Sequence, residues 1–147
     1  MAAGDVVMYS NHKLRKMNGD SIVDYDDGSV KMMLLTSNYT PAPLTEVFLS
    51  EIEADEVTPG TSYLAGGPAL ANPSVALVAG NSVFDADDET IAVDASGFTN
   101  AIWFVFYYDT GNSATSELLA YGDYGTAKSI IDSALVTQWD AAGIIEW

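Results

Sequence analysis

The sequence predicts a mainly β protein: an antiparallel β-sandwich or jelly-roll-like domain with an N-terminal helix and a second short helix. Three observations point there. Beyond Gly60 the apolar residues come in short runs separated by turn residues, which is the spacing of an all-β chain. The run Ala101–Tyr108 (AIWFVFYY) is apolar at both alternating sets of positions, so both of its faces need a cover. The chain has 147 residues, with no low-complexity linker and no repeat of fixed period, so residues 1–147 read as one domain whose first 19 residues form a helical segment.

The first element reads as a helix. Asp5 is a suitable N-cap, and Val7, Leu14 and Met17 share one face of a 3.6-residue period. Lys13, Arg15 and Lys16 fall in the last turns, where cations suit the carbonyl end of the helix dipole, and Asn18-Gly19 closes it. Ser29–Thr36 reads as a strand with Val30, Met32 and Leu34 on one face and Met33 and Leu35 on the other. After a loop with two prolines, Leu44–Glu53 reads as the second helix, with Leu44, Val47, Phe48 and Ile52 aligned.

Strands are then expected near Ser62–Leu64, Ser74–Val78, Val83–Asp85, Glu89–Val93, Ala101–Tyr108, Glu117–Asp123, Ala134–Trp139 and Ile144–Trp147, with Ala127–Asp132 a helical turn or loop. Gly80-Asn81 marks a hairpin. In the central strand Ile102, Phe104, Phe106 and Tyr108 point one way, and Ala101, Trp103, Val105 and Tyr107 the other. One face should meet a second sheet. The other should meet the helices or a neighbouring subunit, the helices being the simpler cover.

Charge bounds the function. Twenty-one Asp and Glu face five Lys and Arg, a formal charge of −16, and after Lys31 the only base is Lys128. Such a body repels nucleic acid and anionic membranes, so neither is an expected partner. There is no Cys, which removes thiolate zinc sites, CxxC redox chemistry and Cys nucleophiles. The longest apolar run, Ala101–Tyr108, is far short of a membrane span, and the opening residues lack the pattern of a signal peptide, so a cytoplasmic product is expected.

No catalytic constellation emerges, and an enzyme is not expected. His12 is the single imidazole and sits beside Lys13 and Arg15, where it reads as a solvated surface residue rather than a general base. Asp24, Asp26 and Asp27, and Asp85, Asp87, Asp88 and Glu89, carry oxygen ligands suited to calcium, but DYDDG departs from the EF-hand pattern and Asp-Gly is ordinary turn chemistry. The glycine clusters at 65–68 and 122–125 match no phosphate loop. No cofactor is expected. The aromatic residues suit core and interface packing, with a sugar platform as the lesser use.

Several segments in order resemble a family of small virion structural proteins of tailed bacteriophages: VKMMLLTSNYTP (30–41), FLSEIEADEV (48–57), GTSYLAGG (60–67), FDADD (84–88), FVFYYDTGNSATSELLAYGDY (104–124) and QWDAAGII (138–145). The paired Met32 and Met33 and the acid at Asp55 depart from that pattern. The resemblance implies a β-rich domain, assembly on a virion and no enzymatic site.

The expected role is that of a head decoration or cement protein, made in the host cytoplasm and bound to the outside of the major capsid protein shell as a homotrimer. A tail or head–tail junction protein is the alternative, and a host-surface glycan- or calcium-binding module a more distant one. Lys13, Arg15 and Lys16 are the candidate capsid contacts. Trp103, Tyr107 and Trp147 are the candidate subunit contacts.

Overall fold

A computed structural model describes residues 6–147. The proposed cap Asp5 lies outside the described residues. Among the described residues the fold is mainly β, with antiparallel sheets and one α-helix. In chain order the elements are β1 (Val7–Met8), α1 (Ser10–Asn18), β2 (Val30–Leu35), β3 (Ser74–Val78), β4 (Asn81–Asp85), β5 (Glu89–Ile91), β6 (Ala101–Tyr108), β7 (Glu117–Lys128), β8 (Leu135–Thr137) and β9 (Ile145–Glu146). They form a four-stranded sheet in the order β1-β7-β6-β2, a three-stranded sheet β3-β4-β9 and a two-stranded sheet β5-β8.

The central sheet follows from period-2 patterning. Met32 lies opposite Phe106 and Leu34 opposite Phe104, while Met33 faces Val105 and Leu35 faces Trp103. The first set, with Leu119, joins Phe84, Ile91, Leu135 and Ile145 of the two smaller sheets in one core, which gives a sandwich-like arrangement. Burying each of these large side chains contributes about 1.5–3 kcal/mol. The second set packs with Tyr9, Tyr39, Leu49, Ile52 and Leu118 in a separate core. A register shift between Ala101 and Trp103 moves Ala101 to the Phe104 side, so the expected strict alternation breaks at that end of β6.

The second core is covered by neither of the expected covers. Its lid is the 36–56 segment, which is not an α-helix over 44–53 but two short 3-10 turns, Leu49–Glu51 and Glu53–Asp55. The reason lies in the backbone. Leu118 N–H bonds the Val47 carbonyl (2.9 Å) and Leu49 N–H bonds that of Ser116 (2.9 Å), so this strap spends its hydrogen bonds on the edge of β7 rather than on helical turns. Leu44 is left exposed. With this face filled from within the chain, no second subunit is needed to hide it.

Other expectations differ in detail. Val7 belongs to β1, paired with Tyr121, so α1 begins three residues later than its apolar pattern suggests. Gly19 closes α1 as expected, in the left-handed region at φ 78°, with the Asp20 N–H on the Arg15 carbonyl (2.9 Å). β7 runs on through Ala127 and Lys128, where the sequence predicts a helical turn or loop. Ser62–Leu64 is a bend, not a strand.

Tyr63 within that bend has a structural task. Its hydroxyl donates to Glu56 Oε1 (2.8 Å) and accepts the Leu34 N–H (2.9 Å), tying a strap to the free side of β2. Tyr63→Phe would leave the buried Leu34 N–H unpaired and should lower unfolding free energy by about 1–3 kcal/mol in a urea titration. A change within error would mean that another group takes over the bond.

Candidate functional site

The basic helix is pinned, not free. α1 lies against the start of β7 and turns His12 inward, where the residue is 1% exposed; the expected surface histidine is a core residue. Its Nδ1 lies 2.7 Å from Oε1 of Glu117, itself 2% exposed, and its Nε2 lies 2.6 Å from the Tyr25 hydroxyl. The set is satisfied when Nδ1–H donates to the carboxylate and Nε2 accepts from the tyrosine. Arg15 Nε sits 3.1 Å from Glu117 Oε2, an ion pair without the alignment of a hydrogen bond. The Arg15 guanidinium also rests over the Phe48 ring at 5.2 Å.

Electrostatics favour a clamp over a catalyst. Burial pushes the Glu117 carboxyl upward, but the contacts with His12 and Arg15 outweigh burial and hold it below the usual Glu range. Burial, with the Glu117 charge nearby, pushes the Tyr25 hydroxyl well above its ordinary value. The chain Tyr25–His12–Glu117 has the connectivity of a hydroxyl–imidazole–carboxylate relay. A nucleophilic hydroxyl needs activation toward its ionised form, and here the phenol is held protonated.

The three candidate capsid contacts therefore separate. Arg15 is committed to Glu117. Lys16 Nζ bonds the Val23 carbonyl (2.5 Å) and lies 5.8 Å from the centre of the Tyr25 ring. Lys13 is exposed and makes no ion pair among the described residues. The helix's apolar face is inverted relative to expectation: Leu14 and Met17 face solvent because the inward side is spent on the His12 clamp.

Beside Lys16 lies an apolar groove of about 270 Å³, lined by Tyr25, Val75, Phe84, Ile145 and Trp147 among others. Trp147 is 48% exposed, with its ring centre 6.3 Å from that of His12. The groove runs onto the β3–β4 hairpin, where all five residues of β3 are exposed although four are apolar, Leu77 at 77%. Among the described residues neither face of this strand is fully covered, and Val75 reaches only the rim of the groove. No Asp, Glu, Lys or Arg occurs between Glu56 and Asp85, the longest uncharged stretch of a chain that carries −16. That absence of charge marks this surface, which strand patterning alone does not reveal.

The candidate subunit contacts also divide. Tyr107 is buried and its hydroxyl donates to the Gly66 carbonyl (2.6 Å), so its own chain uses the side chain fully and it is not available to a second one. Trp103 is half-buried, edge-on to Tyr39 at 6.1 Å and to Tyr121 at 6.4 Å. Only Trp147 of the three is open. The acidic turns cap backbone and side chains: Asp27 takes the Ser29 N–H and the Tyr108 hydroxyl, Asp88 the Trp139 N–H, and Asp87 the Asn72 amide. Among the described residues no group of three or more His, Asp or Glu is placed to hold a metal, and no helix is long and apolar enough to cross a membrane.

No family model, curated protein or solved structure matches this chain.

Proposed function

We propose that this protein is a structural component of an assembly, of the bacteriophage capsid decoration type its sequence resembles, binding the outside of a major capsid protein shell. One observation carries the reading: an uncharged apolar hairpin whose edge strand β3 is exposed throughout, beside the exposed Trp147, on a body otherwise coated with acids. Exposed apolar zones rimmed by polar surface mark contacts with other macromolecules. The acidic coat keeps free copies soluble and apart before assembly.

The mechanism is mass action. A ligand that binds the assembled shell and not its dissociated subunits raises the cost of losing the shell. In this reading Trp147 is the anchor and Lys13, the base of α1 that makes no ion pair among the described residues, supplies rim charge.

The test is co-sedimentation of the purified protein with undecorated shells of the cognate capsid protein. Wild type should pellet with the shells and raise their dissociation temperature. Trp147→Ala should weaken binding by about tenfold or more. Absence of pelleting, or binding confined to tails, would sink the reading.

A further inference from the structure

We infer that β3 is the pairing edge of a symmetric dimer, in which β3 of one copy lies antiparallel to β3 of a second across a two-fold axis at Ala76. The inference rests on the reading of the uncharged hairpin as a docking surface, but not on any virion partner.

The argument begins with hydrogen-bond register. β3 and β4 pair as Val75–Phe84, Ala76–Val83 and Leu77–Ser82. Ser82 exchanges both backbone bonds with Trp147 (2.8 and 2.9 Å), so its polar groups face β9. Leu77 opposite it is therefore in a non-hydrogen-bonded position, and its N–H and C=O point away from the sheet. The same holds for Val75, since the Phe84 carbonyl accepts the Ile144 N–H at 2.8 Å. Among the described residues β3 thus presents two residues with unpaired donors and acceptors along an open edge.

Other long edges in the molecule are protected. The outer side of β2 is closed by the 56–70 segment, through Leu70 N–H to the Val30 carbonyl (3.0 Å), Met32 N–H to that of Pro68 (2.9 Å) and Val57 N–H to that of Leu34 (3.0 Å). The start of β7 is closed by the 47–49 strap, and its outer end carries Asp123 and Lys128. β9 is two residues long and carries Glu146. β3 has none of these guards: no charge, no proline within it and no bulge in its pairing with β4. Natural sheets block such edges unless the edge is used.

Charge selects the occupant. A cationic partner would be drawn to the acidic coat, whereas the 57–84 stretch offers it nothing. Two copies of this chain repel one another everywhere that their acids meet. The uncharged hairpin is where they can approach without that cost. The edge is also self-complementary. Val75 would exchange both bonds with Leu77 of the second copy, and Leu77 with Val75, placing all four apolar side chains on the face that carries Trp147. Shared edges of this kind give closed two-fold symmetry.

The test uses the full chain in sedimentation velocity up to about 100 μM, because a contact of one short strand sits at the weak end of interfaces. Wild type should be a dimer. Leu77→Pro removes the outward N–H without taking a bond from β4 and should be monomeric, and Leu77→Lys should give the same result if the proline variant fails to fold. The chain has no cysteine. On oxidation Ala76→Cys should therefore cross-link to its own copy, since facing residues in such a pair sit about 4.5 Å apart, within disulfide reach. Ser74→Cys, two residues off the axis, should not. A monomeric wild type, a dimer that survives Leu77→Pro and Leu77→Lys, or equal cross-linking at 74 and 76 overturns the proposal. A monomer that still pellets with shells would overturn the pairing alone, and a dimer that ignores shells would overturn the virion reading alone.

Discussion

Glu117→Ala should lower the unfolding free energy by about 1–4 kcal/mol, the scale for leaving the buried His12 Nδ1–H without its acceptor together with the loss of a partly exposed ion pair. The carboxylate is 2% exposed and meets His12 at 2.7 Å and Arg15 at 3.1 Å. Its loss leaves the imidazole Nδ1–H unpaired in a buried site and takes the ion partner from Arg15. It also frees α1, which the clamp fixes to the sheet. Glu117→Gln keeps an acceptor for His12 and should cost less than alanine.

The pH dependence has a definite sign. The folded pKa of Glu117 lies below its unfolded value of about 4.3. Its stabilisation is therefore fully present above the unfolded value and is lost as pH falls through the folded one. Urea titrations should show a constant gap between wild type and Glu117→Gln from neutral pH down to about pH 5, closing at lower pH. A gap that widens in acid would contradict the clamp.

Gly67→Ala is expected to be as damaging, for a steric reason. Gly67 has φ 74°, and a Cβ there would collide with the backbone carbonyl of Met32 in β2. The left-handed backbone costs a non-glycine residue about 1–3 kcal/mol, and overpacking against backbone adds about 1–3 kcal/mol. The strap that guards β2 would have to lift, releasing the Met32 and Leu70 N–H groups from the Pro68 and Val30 carbonyls. Hydrogen exchange at those amides should accelerate along with the fall in stability. Gly19→Ala is the control: it shares the positive φ but has open space around the new Cβ, so only the backbone cost remains.

What could be read in the sequence was local. β2, β3 and β6 follow from period-2 alternation and nearby turn residues, and β3 and β6 end at the expected residues. The Gly19 stop follows from glycine's access to positive φ. What could not be read depends on distant partners. His12 looked solvated because its partner Glu117 lies 105 positions away and carries no local mark. The 44–53 helix failed because β7 claims its backbone. The open hairpin was missed because alternation cannot distinguish a strand buried on both faces from one exposed on both. Its signal was the lack of charge from 57 to 84, visible only against the acidity of the rest.

Electron cryomicroscopy of particles that carry this protein distinguishes shell decoration through the uncharged hairpin surface from the other placements. Under the proposed function, copies cover every facet of the capsid exterior, with the β3–β4 hairpin and Trp147 buried at contacts. Copies found only on the tail, or a hairpin and tryptophan left facing solvent on the shell, would contradict it.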